Sequence, residues 1–353
     1  MSEEAGTAGW DAIDTALQKI YGDQEPKHYG TMISYMLGGP DPLDGISVYE
    51  VNDPVPHWHF VTYGFSELYD KESDNAEYSG YGFELTLRLS RPAGEEEPPG
   101  WALNLLQNMG RYVFNSGNIF NSGDYLDANG PICLGSPTKL TALAFTDDPF
   151  LPQIDTPNGK VEFLQMVGIT GDELEAMQIW NTSGVLAACK AQMPLYITDL
   201  MRDSVLEQES VAESVRLGSE SEGSSTGFLA VDQLAAERIK KGFFKGSADE
   251  ITLGAKQAGI IGKLITGRIT KGRSLSLVGK GVQVIFDPAD QPGFEREESG
   301  IRIKLNDAAV TELARHLKPV AGTFELSAIK GLSFQIIPTQ IRDQEGNVVE
   351  TIG

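Results

Sequence analysis

The chain has 353 residues, 41% of them apolar, enough for two domains with cores of ordinary size and incompatible with disorder throughout. Fifty Asp and Glu against 28 Lys and Arg give a formal net charge of −22, so neither a nucleic acid nor an anionic membrane surface is an expected partner. No stretch reaches the roughly 18 uncharged apolar residues of a membrane span, the N-terminus has no signal-peptide pattern, and Cys133 and Cys189 are too few for a disulfide scaffold. A soluble, cytoplasmic protein with ordinary thiols is expected.

In chain order, Trp10, Ile13, Ala16, Leu17 and Ile20 recur at helical spacing. His59 to Phe65 is a strand candidate. Phe83, Leu85, Leu87 and Leu89 alternate with Glu84, Thr86, Arg88 and Ser90, the period-two pattern of a half-buried strand. Ala102, Leu105, Leu106, Met109 and Val113 mark a second amphipathic helix, and Val161 to Val167 a further strand. Thr170 with Glu173 forms a capping box that starts a helix running toward Cys189.

Residues 203–227, DSVLEQESVAESVRLGSESEGSSTG, are poor in aromatics and rich in Ser, Glu and Gly, the composition of a flexible linker. Charge changes across them, from −19 over 1–202 to +2 over 251–353. The domain boundary is therefore expected at 203–227, between 1–202 and 228–353. Beyond it, Val231, Leu234, Ala235, Ile239 and Phe243 suggest one helix. Strand patterns follow at Leu275 and Leu277, Val282 to Phe286, Ile301 to Leu305, and Phe334 with Ile336, and Gly279-Lys280-Gly281 suits a hairpin. A last helix, Ala308 to Lys318, is capped by Asn306 or Asp307 and stopped by Pro319. The fold class expected is mixed α and β, with two domains, each a mixed or antiparallel sheet packed with helices.

Catalytic patterns are few. Gly223-Ser224-Ser225-Thr226-Gly227 has the letters of a nucleophile elbow but lies in the expected linker, with no strand-to-helix turn to strain the serine. His57 and His59, two apart in a strand, could share one zinc ion, yet no third or fourth ligand accompanies them, so hydrogen-bonded imidazoles beside Trp58 are the plainer expectation. No cofactor and no metal are expected. A hydrolase working through His57, His59 and nearby carboxylates remains the alternative function.

Six blocks carry a family resemblance: Leu37 to Asp44, His57-Trp58-His59, Gly64 to Tyr69, Gly82 to Thr86, Arg111 to Phe114, and Ser122-Gly123-Asp124. Phe163-Leu164-Gln165, Trp180-Asn181 and Ile197-Thr198-Asp199 continue it. In this order they resemble the Suppressor of fused family, closely over about 10–202 and more loosely over 228–340. The resemblance implies a two-domain binding protein rather than an enzyme. The animal member restrains Gli-type transcription factors by clamping a peptide between its domains as an added β-strand.

Position by position, the resemblance places the peptide-contacting residues on Tyr112, Phe120, Asp124 and Asp232. Core packing is the alternative for the two aromatics, and a turn or helix-cap role for the two carboxylates. The shorter route from linker to strands implies a bacterial type, for which a toxin-immunity role and a basic toxin as partner follow. The net charge suits such a partner.

Overall fold

The computed structural model describes residues 6–33, 35, 38–240, 247–342 and 346–353; Leu37 and Phe243, used above, lie outside them. Two compact units share the chain: unit 1 holds residues 1–174 and 185–211, unit 2 holds 175–184 and 212–353.

In unit 1, α1 (Ala8–Tyr21) is followed by β1 (Lys27–Gly30), β2 (Gly45–Val51), β3 (His57–Tyr63), β4 (Tyr78–Ser90), α2 (Gly100–Ser116), β5 (Tyr125–Asp127), β6 (Leu140–Asp147), β7 (Ile154–Thr156) and β8 (Gly159–Thr170). The strands form one sheet in the order β1-β2-β3-β4-β8-β6-β5, with β7 paired to β8. All pairs are antiparallel except β4 with β8.

The two amphipathic helices cover opposite faces of this sheet. Ile13, Ala16 and Leu17 of α1 pack with Tyr49, Val61, Tyr63 and Phe163. Ala102, Leu106, Met109 and Val113 of α2 pack with Trp58, Phe60, Leu85, Leu87 and Phe145. This double cover corrects the half-buried reading of β4. The leucines do face α2, but Glu84, Thr86 and Arg88, expected at the solvent, are completely buried as well.

One half of the expected capping box forms, the Glu173 carboxylate accepting from Thr170 N at 3.0 Å, while the Thr170 hydroxyl donates to Asp172 Oδ1 at 2.5 Å. The helix it starts is interrupted, giving α3 (Gly171–Ile179) and α4 (Thr182–Cys189). Residues 203–227 differ most from expectation. Instead of a flexible linker they contain a 3-10 turn at Val205–Glu207 and a 14-residue helix, α5 (Glu209–Glu222). Tertiary packing supplies what composition lacks: Val211 and Val215 are buried, and Arg216 pairs with Glu213 and Glu220 along the exposed face. Ser224 is buried too, its hydroxyl donating to Gln178 O at 2.6 Å, so the elbow-like letters serve packing.

Unit 2 contains β9 (Phe228–Ala230), β10 (Leu234–Lys240), β11 (Ser247–Gly254), α6 (Ala255–Ile269), β12 (Leu275–Gly279), β13 (Val282–Pro288), β14 (Gly293–Glu297), β15 (Gly300–Leu305), α7 (Asp307–His316), β16 (Gly322–Glu325), β17 (Leu332–Ile337), β18 (Thr339–Arg342) and β19 (Val348–Ile352). Its sheets run β14-β15-β13-β12-β9 and β10-β11-β17-β16, with β18 and β19 as a separate pair. Ala258, Ile261, Leu264 and Ile265 of α6 share one core with Leu253, Phe286, Ile303 and Phe334. The helix expected from Val231 onward is instead β10, which pairs antiparallel with β11 from Leu234↔Leu253 onward. The expected hairpin is present, with Gly279 paired to Val282 and Gly281 at φ +75°. Asn306 caps α7 by accepting from Ala309 N at 3.0 Å.

Candidate functional site

The two ends of the unit 1 sheet are treated differently. At β1, Lys27 Nζ donates to Glu96 O and Tyr29 Oη to Glu97, so the segment after β4 straps that edge. At the other end β5 is the terminal strand of the sheet, and its ladder among the described residues is with β6. Such an edge is a template for an added strand.

The chain reaches this edge through two tight turns. Helix α2 ends on Gly117 in the left-handed conformation, its N–H returning to Val113 O at 2.8 Å. Gly123, at φ +99°, then lets the chain fold back so that its N–H meets Phe145 O. Tyr112, Phe120 and Asp124 are brought together here. Phe120 stacks on Phe145 at 4.1 Å and on Tyr112 at 5.7 Å. Phe120 is 7% exposed and therefore mainly core, while Tyr112, at 37%, presents part of its ring to solvent. The Tyr112 hydroxyl accepts from Asn118 Nδ2 at 3.0 Å. Asp124 has the turn role weighed above, accepting from Asn121 N at 2.8 Å and Nδ2 at 3.3 Å, directly before β5. Asp232 lies in unit 2, exposed, just after the edge strand β9, its N–H bonded to Gln257 Oε1 at 3.1 Å.

The polar residues of β4 organise a second constellation, which the sequence reading missed. On the α1 face, Asp148 accepts from Arg88 Nη2 at 2.8 and 3.1 Å, from Thr86 Oγ1 at 2.8 Å, and from Phe150 N and Leu151 N. His59 Nε2 lies 3.1 Å from the same carboxylate, and His59 Nδ1 lies 2.6 Å from Tyr21 Oη. A carboxylate only accepts, so Nε2 carries the proton and Tyr21 donates to Nδ1. Burial, aided by the Arg88 charge, pulls His59 down to about 4, and burial raises Tyr21 to about 12. Burial opposes the charge on Asp148, but the imidazole and guanidinium hold it below the usual carboxylate range.

His57 is equally buried, its Nδ1 donating to Val55 O at 2.7 Å. The expectation of hydrogen-bonded imidazoles beside a packed indole describes both residues. No group of three or more His, Cys, Asp or Glu is placed to hold a metal among the described residues. Glu84 is buried on β4: it gathers the Thr62 and Ser66 hydroxyls and the N–H groups of Gly64 and Ser66 within 3.0 Å, while burial raises it to about 7. The only sign of this constellation in the sequence was the regular placement of charged side chains along a strand.

No described helix is long and apolar enough to cross a membrane. The family model for Suppressor of fused protein (SUFU) matches residues 39–203, which include β5 and its aromatic stack. The Suppressor of fused homolog of Homo sapiens is 33% identical over 83% of this chain, and the chain spans 64% of that relative's length. The crystal structure of Drosophila Suppressor of Fused superposes with a TM-score of 0.77 at 26% identity, covering 94% of this chain and 97% of that one. A chain from the Sufu-Fu complex crystal structure is 34% identical, with a TM-score of 0.56 over 60% of this chain and 97% of its own. The matched sequence and the two structural likenesses agree, and the chain belongs to the Suppressor of fused family.

Proposed function

We propose that the chain is a non-enzymatic protein-binding module that captures an extended segment of a protein partner by strand addition at β5. The observation that carries this reading is the position of β5 as the last strand of the sheet, with Tyr112, Phe120 and Asp124 gathered beside it. Backbone hydrogen bonds along such an edge supply affinity, and the flanking side chains supply specificity. Asp232, next to the β9 edge, is proposed to contribute in the same way from unit 2. The family and the likeness to a chain of the Sufu-Fu complex support a protein as the partner. With −22 net charge, a basic partner is favoured, in line with a bacterial immunity protein that neutralises a basic toxin.

The test is affinity capture from the native host with identification by mass spectrometry, then calorimetric titration of that partner. Asp124→Asn keeps an acceptor for Asn121 while removing the charge, and is expected to weaken binding by about 2 kcal/mol. Tyr112→Ala is expected to weaken it too. Wild-type affinity in both variants, each folded by thermal melting, would remove the site from β5.

A further inference from the structure

Strands β4 and β8 run side by side only as far as Leu87↔Met166. Beyond that point Thr198, wholly buried, fills the gap between them. Its N–H donates to Arg88 O at 2.8 Å, its carbonyl accepts from Ser90 N at 2.9 Å, and its hydroxyl accepts from Gly168 N at 2.9 Å. The chain enters this slot through two consecutive non-glycine residues in the left-handed region, Leu195 at φ +52° and Tyr196 at φ +51°. L-residues resist this conformation because Cβ crowds the following carbonyl, so the pair persists only if its surroundings hold it.

The holding group is Gln165, completely buried on β8. Its Nε2 donates to both strained carbonyls, Leu195 O at 2.8 Å and Tyr196 O at 3.1 Å. Its Oε1 accepts from Arg88 Nε at 3.1 Å, and Arg88 is itself fixed by Asp148. One side-chain amide thus joins the buried ion pair to the strained turn.

We propose that Gln165 and the left-handed Leu195–Tyr196 turn form a latch, and that segment 194–199 is the part of unit 1 poised to open when this amide lets go. Opening releases Arg88 O and Ser90 N, the two backbone groups through which Thr198 extends the sheet. Local opening of this kind is read by amide exchange, because each amide reports the free energy of the event that exposes it.

The experiment is hydrogen exchange on the full chain, comparing wild type, Gln165→Met, Leu195→Gly and the double variant. In wild type, the Thr198 and Ser90 amides are expected to exchange at least 10-fold faster than those of Val48 and Phe60 in the β2–β3 pair. Gln165→Met, similar in size and unable to donate, is expected to raise the Thr198 and Ser90 rates at least a further 10-fold while leaving β2–β3 unchanged. Glycine at 195 relieves one of the two left-handed residues, so the effect of Gln165→Met is expected to shrink in the double variant. Equal wild-type rates at Thr198 and Val48, an acceleration spread evenly over unit 1, or purely multiplicative effects in the double variant would each overturn the latch. The wild-type comparison decides the matter even if Gln165→Met does not fold.

Discussion

At the scale of single residues, unit 1 has charge where a strand between two helices would be expected to carry none. Arg88 and Asp148 are both fully buried and joined at 2.8 Å. Removing one partner strands the other in a low-dielectric interior, so Asp148→Ala is expected to cost about 3–5 kcal/mol in urea unfolding. Replacing both, as Arg88→Met with Asp148→Leu, is expected to recover at least half of that loss. A double variant as unstable as Asp148→Ala would show that the hydrogen bonds, rather than the unpaired charge, dominate.

His59 makes a pH prediction with a definite sign. Burial lowers its folded-state pKa from the ordinary 6.5 to about 4, so the unfolded chain takes up the proton first. The stabilisation is complete above pH 6.5 and is lost as pH falls from 6.5 toward 4. Between pH 7 and pH 5 the loss is about 2 kcal/mol, at 1.36 kcal/mol per pH unit below 6.5. Burial lowers His28 and His57 in the same direction, so the measurement is the difference between wild type and His59→Gln unfolded by urea at both pH values. Identical pH dependence in the two proteins would exclude His59 as the source.

Among the elements, α5 inverts an ordinary rule. Glycine inside a helix is normally worse than alanine by 0.5–1 kcal/mol, so Gly→Ala usually stabilises. At Gly218 a Cβ would overlap the indole of Trp180, whose Nε1 donates to Glu222 at 2.7 Å across the same contact. Gly184 meets the same ring from α4. Gly218→Ala is therefore expected to destabilise by about 1–3 kcal/mol through overpacking, while Gly100→Ala, which meets nothing within 4 Å, is expected to be neutral or mildly stabilising. Thermal melts of the two variants compare them directly, and equal shifts would contradict the Trp180 contact.

For the whole molecule, the units are interleaved in sequence. Unit 2 includes residues 175–184, and these supply Gln178, whose carbonyl accepts from Ser224 and Thr226, and Trp180, whose carbonyl accepts from Ser225 N. A fragment starting at 228 lacks both halves of that contact. Expressed alone, 228–353 is expected to melt clearly below a fragment covering 175–353, as measured by circular dichroism. Equal melting temperatures would support the simpler division at 203–227 suggested by composition.

What the sequence determined by itself was whatever repeats along the chain. The spacing of Ile13, Ala16 and Leu17, the alternation of Leu85, Leu87 and Leu89, and the caps at Thr170 and Asn306 are local patterns whose physical meaning survives without the fold. Block order was similarly informative, since it pointed to the family. Only tertiary structure decided the rest, because each case depends on a partner distant in sequence. Leu234–Lys240, with good helix formers, is a strand because β11 offers it a ladder. Glu209–Glu222 is helical because Val211 and Val215 find a surface to bury against. Glu84, Thr86 and Arg88 lie inside because α1 covers a face that alternation alone assigns to water, and their charges are tolerated there because Asp148, His59, Gln165 and Ser66 arrive from other strands and loops to meet them.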